Sequence, residues 1–103
     1  MYKSIVLTEK DNVATALEDI PSMNNLSILI GNEKRTINLL ENINFGHKFA
    51  IQDIAVGEEI IKYGEVIGRA TKDINCGEYV HVHNLEGTRG RGDKWWKSKE
   101  VNF

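Results

Sequence analysis

Cysteine, proline and long apolar runs are nearly absent from this chain. Among its 103 residues there are one cysteine, Cys76, and one proline, Pro21. A single cysteine cannot form an internal disulfide, so the composition suits a reducing compartment and predicts a cytoplasmic location. No window approaches the roughly 20 apolar residues of a membrane helix. The first apolar run meets charge at Glu9, too early for a signal peptide.

The chain also lacks an excess of charge of either sign. It carries 13 basic and 15 acidic residues, for a formal net charge of −2 at pH 7. This balance provides no global basic surface for nucleic acid and no cationic face for anionic lipid, so we expect neither a nucleic-acid nor a membrane partner. Its length, with 41% hydrophobic and 27% charged residues, is typical of one small globular domain.

Short β segments separated by glycines make up most of the sequence. Residues 26–30 and 35–40 are rich in aliphatic side chains and flank a Gly31-Asn32-Glu33 turn, which predicts a hairpin. Further strands are predicted over residues 3–8, 45–51, 59–62, 66–71 and 79–82. An Ile-x-x-Gly pattern also recurs, and its copies indicate turns in which glycine takes a positive φ. The copies end at Gly46, Gly57 and Gly77.

One short helix is predicted over residues 11–20. Four apolar residues there fall at i, i+3, i+4 and i+7, which is the spacing of one helical face; they are Val13, Ala16, Leu17 and Ile20. Asp11 could cap this helix, and Pro21 would end it. The sequence therefore predicts a mostly β domain with one short N-terminal helix.

The composition changes at Glu86, so we divide the chain into a domain over residues 1–85 and a tail over residues 86–103. The tail is rich in glycine and arginine and contains a tryptophan pair, Trp95-Trp96. Arg89 and Arg91 could hold a carboxylate or phosphate, or they could be solvated. The tryptophan pair suggests docking, onto this domain or onto a partner.

Three motifs in this order resemble one known family. They are GHK at 46–48, the stretch from Ile54 to Gly68, which contains GEEIIKYGEVIG, and GEYVHVHN at 77–84. Together with the upstream DNVATAL, they resemble the N-terminal region of altronate and galactarate dehydratases. They are also similar to the small subunit of sulfolactate sulfo-lyase. The resemblance covers residues 10–84 and implies an SAF-like domain with a β-clip fold.

The resemblance also implies lyase chemistry on sugar acids. In fused members a much larger catalytic region follows this module, so here we expect that region in a separate large subunit. The chain would then be the small subunit of a sugar-acid dehydratase-type lyase, inactive alone. The family's enzymes are thought to need a divalent metal, iron or manganese, in the assembled form. The rival interpretation is a non-catalytic β-clip module that binds carbohydrate or a partner. A homo-oligomer would be compatible with either.

The three histidines are the predicted catalytic residues. His81 and His83 are two apart on a predicted strand, so both would point to one face, with Asn84 at the strand end beside a substrate. They could bind a metal, although two ligands do not complete a site, or they could form a solvated polar face. His47 could move a proton in an elimination, or it could be an exposed turn residue.

The predicted substrate-binding residues flank these histidines. Lys48 and Lys62 could each pair with a substrate carboxylate, and Tyr63 could present a phenol. The alternative is that Lys62 and Tyr63 form an ordinary hairpin tip. Asp11 and Asn12 could line the site or only cap the predicted helix. Cys76 is interpreted as a small turn residue rather than a nucleophile.

Overall fold

The computed structural model describes residues 2–87, and this part of the chain is built from strands without a helix. The nine strands are β1 (Ser4–Ile5), β2 (Val13–Ala16), β3 (Asn25–Ile30), β4 (Glu33–Asn38), β5 (Lys48–Ala50), β6 (Glu59–Lys62), β7 (Glu65–Ala70), β8 (Tyr79–Val80) and β9 (Leu85–Gly87). The predicted mostly β fold is therefore confirmed. The predictions for the tail from residue 88 onward lie outside the described residues.

The strands form three antiparallel sheets. The central sheet has the order β1-β2-β5-β8, the β3-β4 hairpin forms a second, and β6-β7-β9 form a third. The predicted hairpin is confirmed, with Ile30 paired to Glu33 across a two-residue turn. Its strands alternate between buried and exposed residues, as in Leu26, Ile28 and Ile30 of β3, because one face packs on the core.

The central sheet is covered on both faces. Phe49 and Ala14 pack in a core shared with the β3-β4 hairpin. Ala50 and Val13, which neighbour them in sequence, pack in a second core shared with β6, β7 and β9. Successive side chains of a strand point to opposite faces, so each strand contributes to both cores.

The predicted helix over residues 11–20 is wrong. Val13–Ala16 is strand β2, which pairs with β1 on one side and β5 on the other. All four of its residues are buried because this central strand is covered on both faces. The apparent helical stripe arose by coincidence of spacing, and its member Leu17 is 44% exposed.

The Ile-x-x-Gly repeat forms turns that are joined in pairs. Ile54 and Ile74 make an antiparallel bridge, with each N–H donating to the other carbonyl at 2.8 Å. Ile43 makes the same bridge with Ile20. The predicted positive φ is found at Gly46 (85°), Gly57 (89°) and Gly77 (94°). Ile20 thus begins a fourth turn that lacks the glycine, and Met23 takes its place with a φ of 68°.

An acidic or amide side chain locks each of these turns. The residue before each bridging isoleucine accepts a hydrogen bond from a backbone N–H in the partner turn. The pairs are Asp19 with Phe45 (2.8 Å), Asn42 with Ser22 (2.7 Å), Asp53 with Cys76 (2.9 Å) and Asp73 with Val56 (2.9 Å). The repeat is therefore Asp/Asn-Ile-x-x-Gly, and it fixes where the strands leave each turn.

Candidate functional site

The three histidines lie together around one tyrosine. His47 Nδ1 is 2.7 Å from the Tyr79 hydroxyl. The His81 ring stacks on the Tyr79 ring at a centroid distance of 5.5 Å and lies 5.6 Å from the His47 ring. The His83 ring lies 5.4 Å from that of Tyr79. We call these four residues the histidine–tyrosine cluster.

Strand pairing brings the cluster together. His47 immediately precedes β5, and Tyr79 pairs with Phe49 across β5 and β8. A side chain two residues before Phe49 lies on the same face of the sheet as Phe49 and Tyr79, which allows the His47–Tyr79 hydrogen bond. His47 and Tyr79, which are 32 positions apart, thus meet because their strands are neighbours, although two turns of the repeat lie between them.

His81 and His83 were predicted to lie on a strand, but they lie in a turn. Strand β8 ends at Val80, and a turn over residues 81–84 follows, with the Asn84 N–H donating to the His81 carbonyl at 3.0 Å. The strand ends because the Asn84 side chain competes for its hydrogen-bonding groups. Asn84 accepts from the His81 N–H at 3.0 Å and donates to the Tyr79 carbonyl at 2.9 Å.

Asn84 therefore has a structural role that the sequence did not predict. It is 2% exposed, and its amide holds the turn that carries two of the histidines. Both ends of the Asn84 amide are hydrogen-bonded to the backbone of this turn, so the amide positions the histidines and is not available to a substrate in this structure. Substrate binding by Asn84 stays a prediction.

Tyr79 was not among the predicted site residues. Burial, together with the nearby carboxylate of Glu41, raises the pKa of the Tyr79 phenol, so the hydroxyl keeps its proton at neutral pH. The Tyr79-x-His81-x-His83 spacing was the signal that could have revealed it, because a residue two positions before His81 shares its face on a strand.

The described residues do not form a complete metal site. Across residues 2–87, no group of three or more His, Cys, Asp or Glu side chains could hold a metal ion. His81 and His83 could supply at most part of a site whose other ligands come from elsewhere. The expectation of iron or manganese in an assembled enzyme stays a prediction, and we derive no chemical step from a metal.

Lys48 lies on the other face of the central sheet. It is directly opposite Thr15 of β2 and Val80 of β8, and it is only 4% exposed. Burial, with a smaller contribution from the charge of Lys62, lowers the pKa of its ammonium to about 8. The structure thus separates the predicted residues into two groups, with the histidines on one face of the sheet and Lys48 on the opposite face.

Lys62 and Tyr63 form a tight hairpin turn between β6 and β7. Lys62 pairs with Glu65, and the two residues between them, Tyr63 and Gly64, have φ of 55° and 80°. Positive φ at both central positions is typical of a type I′ turn. The Lys62 ammonium is 5.2 Å from the centroid of the Tyr63 ring. The predicted hairpin tip is confirmed, and a substrate contact there stays a prediction.

Asp11 fastens this turn rather than capping a helix. Burial alone would raise the pKa of Asp11, but hydrogen bonds from the Gly64 N–H, the Thr8 hydroxyl and backbone N–H groups lower it. The Gly64 N–H donates at 2.7 Å and the Thr8 hydroxyl at 2.8 Å. The helix-capping alternative is wrong because no helix follows. Its predicted substrate contact stays a prediction.

Asn12 joins β2 to β6. Its side chain accepts from the Ile61 N–H at 2.7 Å and donates to the Glu59 carbonyl at 2.8 Å. Its own N–H donates to the Ile61 carbonyl at 3.1 Å. Asn12 therefore holds β6 beside the start of β2 through its side chain and its backbone. A substrate contact by Asn12 stays a prediction.

Cys76 occupies a turn, as the sequence interpretation expected. Its N–H donates to Asp53 at 2.9 Å within the paired-turn arrangement. Burial, and then the negative charge of Asp53, raises the pKa of the Cys76 thiol, although Arg35 acts in the opposite direction. A thiol with a raised pKa is a poor nucleophile at neutral pH, which favours the turn interpretation.

Antiparallel sheets joined by paired glycine turns, with a histidine–tyrosine cluster at the end of β8, define a small β domain of the SAF class. The model of the altronate/galactarate dehydratase SAF domain matches residues 2–88. The chain belongs to this family, and the resemblance seen in the sequence is confirmed.

Curated relatives include enzymes of two kinds. The chain is 45% identical to altronate dehydratase of Escherichia coli over 74 residues, which are 72% of the chain and 14% of that protein. It is 39% identical to altronate dehydratase of Bacillus subtilis over 86 residues, 84% of the chain and 16% of that protein. With (2R)-sulfolactate sulfo-lyase subunit alpha of Chromohalobacter salexigens it is 51% identical over 47 residues, 46% of the chain and 50% of the relative.

The chain thus matches about one-seventh of the length of the two altronate dehydratases. Within residues 2–87, no helix is long and apolar enough to cross a membrane. The cytoplasmic location stays a prediction.

Proposed function

We propose that this chain is the small subunit of a sugar-acid dehydratase-type lyase whose catalytic region belongs to a separate large subunit. The histidine–tyrosine cluster is the observation that carries this proposal, because it concentrates three imidazoles and a phenol in a domain of the dehydratase family. Similarity to a protein named as a sulfo-lyase subunit alpha supports a division between two chains. A carbon–oxygen hydro-lyase acting on a sugar acid is the reaction we expect.

The proposed reaction converts a 2-hydroxy acid into a 2-oxo acid. A base removes the proton from the carbon beside the carboxylate, the hydroxyl on the next carbon leaves as water, and the resulting enol becomes the ketone. His47 suits a proton-transfer role. If its Nδ1–H donates to the Tyr79 hydroxyl, Nε2 is left to take a proton and return it. His81 and His83 would line the same side of the site.

The proposal is tested by purifying the chain together with a candidate large subunit, sought first in the product of the neighbouring gene. The complex is then assayed for 2-oxo acid release from altronate, galactarate and sulfolactate. We expect turnover of a sugar acid that falls about 100-fold or more in His47→Gln, the scale of a lost acid–base group. A complex that turns over none of these acids, or one in which His47→Gln leaves the rate unchanged, would overturn the proposal.

The second candidate is a non-catalytic module that binds carbohydrate or a partner. The use of the Asp11, Asn12 and Asn84 side chains within the fold favours it, because these side chains hold backbone groups. It predicts a stable complex in which replacement of any cluster histidine leaves turnover unchanged. The His47→Gln complex therefore separates the two candidates.

A further inference from the structure

The face of the central sheet opposite the histidine–tyrosine cluster holds one buried hydroxyl without a partner beside a largely buried lysine. Thr15 is 7% exposed, and within residues 2–87 its hydroxyl has no hydrogen-bond partner. Lys48 is 4% exposed. Its ammonium makes no hydrogen bond or ion pair in the same part of the chain. Buried polar groups are normally satisfied, so an unpartnered hydroxyl beside an ammonium without an ion pair indicates that a ligand supplies the missing partner.

The two side chains are adjacent. Thr15 and Lys48 are directly opposite each other on β2 and β5. Opposed residues of antiparallel strands have Cβ atoms about 4.5–5.5 Å apart and point to the same face. Their neighbours on this face, Val13, Ala50 and Val80, belong to the second core, so the surroundings are apolar. In such surroundings an unpaired ammonium is costly and an anion beside it is strongly favoured.

A second positive charge acts on the same place. Lys62 lies near enough for its charge to influence Lys48, and Asn12 holds the end of β6 beside β2. In residues 2–87, no carboxylate neutralises Lys48. Two ammonium groups and one hydroxyl donor match what a carboxylate accepts, and a neutral ligand would leave the charges uncompensated.

We propose that Thr15 and Lys48, with Lys62 at the margin, form a subsite that binds the carboxylate of a small hydroxy acid. The Thr15 hydroxyl and the Lys48 ammonium donate to the carboxylate oxygens, and Lys62 adds long-range attraction. The subsite lies on the face opposite His47, so its occupant is a ligand other than the molecule on which the cluster would act. Carboxylate binding here does not depend on the proposed function.

The experiment uses the full chain alone, with glycerate as the probe and glycerol as its uncharged counterpart. Backbone amide shifts of Thr15, Lys48 and Val80 are followed by NMR during titration in a buffer free of other carboxylates. We expect saturable binding of glycerate that moves these three amides and no binding of glycerol. In Lys48→Met we expect the affinity to fall by at least about 10-fold, which corresponds to the loss of a charge-assisted hydrogen bond.

Thr15→Val removes only the hydroxyl and keeps the shape of the side chain, so it serves if Lys48→Met does not fold. We expect it to weaken glycerate binding several-fold. Lys34→Met, at an exposed position of β4, removes the same charge far from the subsite and should leave the affinity unchanged. Equal loss in Lys34→Met would show a net-charge effect and overturn the proposal. A bound water in place of glycerate, or absence of saturable binding, would also overturn it.

The outcome is independent of the proposed function. Glycerate binding by the isolated chain together with an inactive complex would support the subsite and reject the lyase. An active complex would support the lyase even if glycerate moved none of these amides in the isolated chain, and that second result would reject the subsite.

Discussion

Lys48 is the residue whose burial has the clearest thermodynamic consequence. Its pKa falls from 10.5 in an exposed setting to about 8 in the fold. Below pH 8 both folded and unfolded chains carry the proton, so the fold bears the full cost of burying the charge. Between pH 8 and 10.5 the unfolded chain holds a proton that the folded chain has lost, so stability from this group rises with pH.

Replacement of Lys48 by methionine should therefore stabilise the chain at pH 7. We expect a gain of roughly 2 kcal/mol there, because removal of an unpaired buried charge relieves its desolvation cost. The gain should shrink toward zero by pH 10. Urea denaturation of wild type and Lys48→Met at both pH values, without carboxylates in the buffer, measures it. The exposed variant Lys34→Met should change the free energy of unfolding by the same amount at both pH values. A change in Lys48→Met that is equally independent of pH would contradict the prediction.

Tyr79 is the positioning residue for His47. Tyr79→Phe removes the hydroxyl that lies 2.7 Å from Nδ1 and keeps the ring that stacks on His81. We expect turnover of the assembled complex to fall about 10-fold, the factor that corresponds to one neutral hydrogen bond of about 1.4 kcal/mol. The ring nitrogen shifts of His47 in the isolated chain should also change, because Nδ1 loses its hydrogen-bond partner.

Tyr2→Phe removes a hydroxyl from another partly buried tyrosine that packs on the same core as Tyr79, and it serves as the control. Its His47 nitrogen shifts should match those of wild type. Identical shifts in Tyr79→Phe and wild type would show that the hydroxyl does not determine the tautomer, whatever happens to turnover.

At the scale of elements, the paired turns organise the chain. Three of the four turns place glycine at positive φ, and the fourth places Met23 there at 68°. Met23 is 83% exposed, so its side chain contributes little packing that would offset the strain. A residue with a Cβ pays about 1–2 kcal/mol in this conformation.

Met23→Gly should stabilise the chain by about 0.5–1 kcal/mol, since relief of strain exceeds the added flexibility of the unfolded chain. Gly57→Ala makes the reverse change at a site where a Cβ would meet nothing within 4 Å, although φ is 89°. We expect a loss of about 1 kcal/mol from backbone strain alone. Denaturation midpoints report both changes, which should have opposite signs. Destabilisation by Met23→Gly would mean that its side chain makes contacts that outweigh the strain.

Elements with a local signature could be predicted from the sequence. The β3-β4 hairpin follows from alternation around Gly31, and β6 was predicted with its observed bounds. Strand β2 was missed because it is buried on both faces and shows no alternation, which left a chance helical spacing as the strongest signal. The burial of Lys48 could not be predicted either, because a charged residue beside a glycine turn is usually exposed.

The candidate site was likewise predicted only where its residues have a recognisable signature in the sequence. The histidines could be identified because imidazole titrates near neutral pH, and the fold does bring them together. Their turn could not be predicted, since it depends on the buried amide of Asn84. The separation of His47 from Lys48 follows from strand alternation alone, yet it becomes meaningful only when both faces of the sheet are known to be covered.

At the scale of the whole molecule, the histidine–tyrosine cluster provides chemical groups at the surface rather than in an enclosed site. Of the cluster, His83 is exposed and His47 and His81 are half-buried, so the rings lie at the surface. Lyase chemistry on a small polar acid needs a pocket that surrounds the substrate and excludes water. Across residues 2–87 there is also no group of three side chains that could hold a metal ion. The proposed lyase would therefore need a second surface to close the site.

We accordingly expect the purified chain to show no dehydratase turnover by itself, and we expect turnover to appear when the large polypeptide is added. The measurement is release of 2-oxo acid from altronate and galactarate, with the two proteins assayed singly, mixed, and mixed with His81→Ala or His83→Ala. If the histidines line the completed site, the variants should lower the rate of the mixture by roughly 100-fold while the melting temperature of the small chain changes little. Steady turnover by the small chain alone would contradict the proposal that the catalytic region belongs to a separate large subunit. A full rate in both variant mixtures would remove His81 and His83 from the site and leave His47 as its only candidate among the histidines.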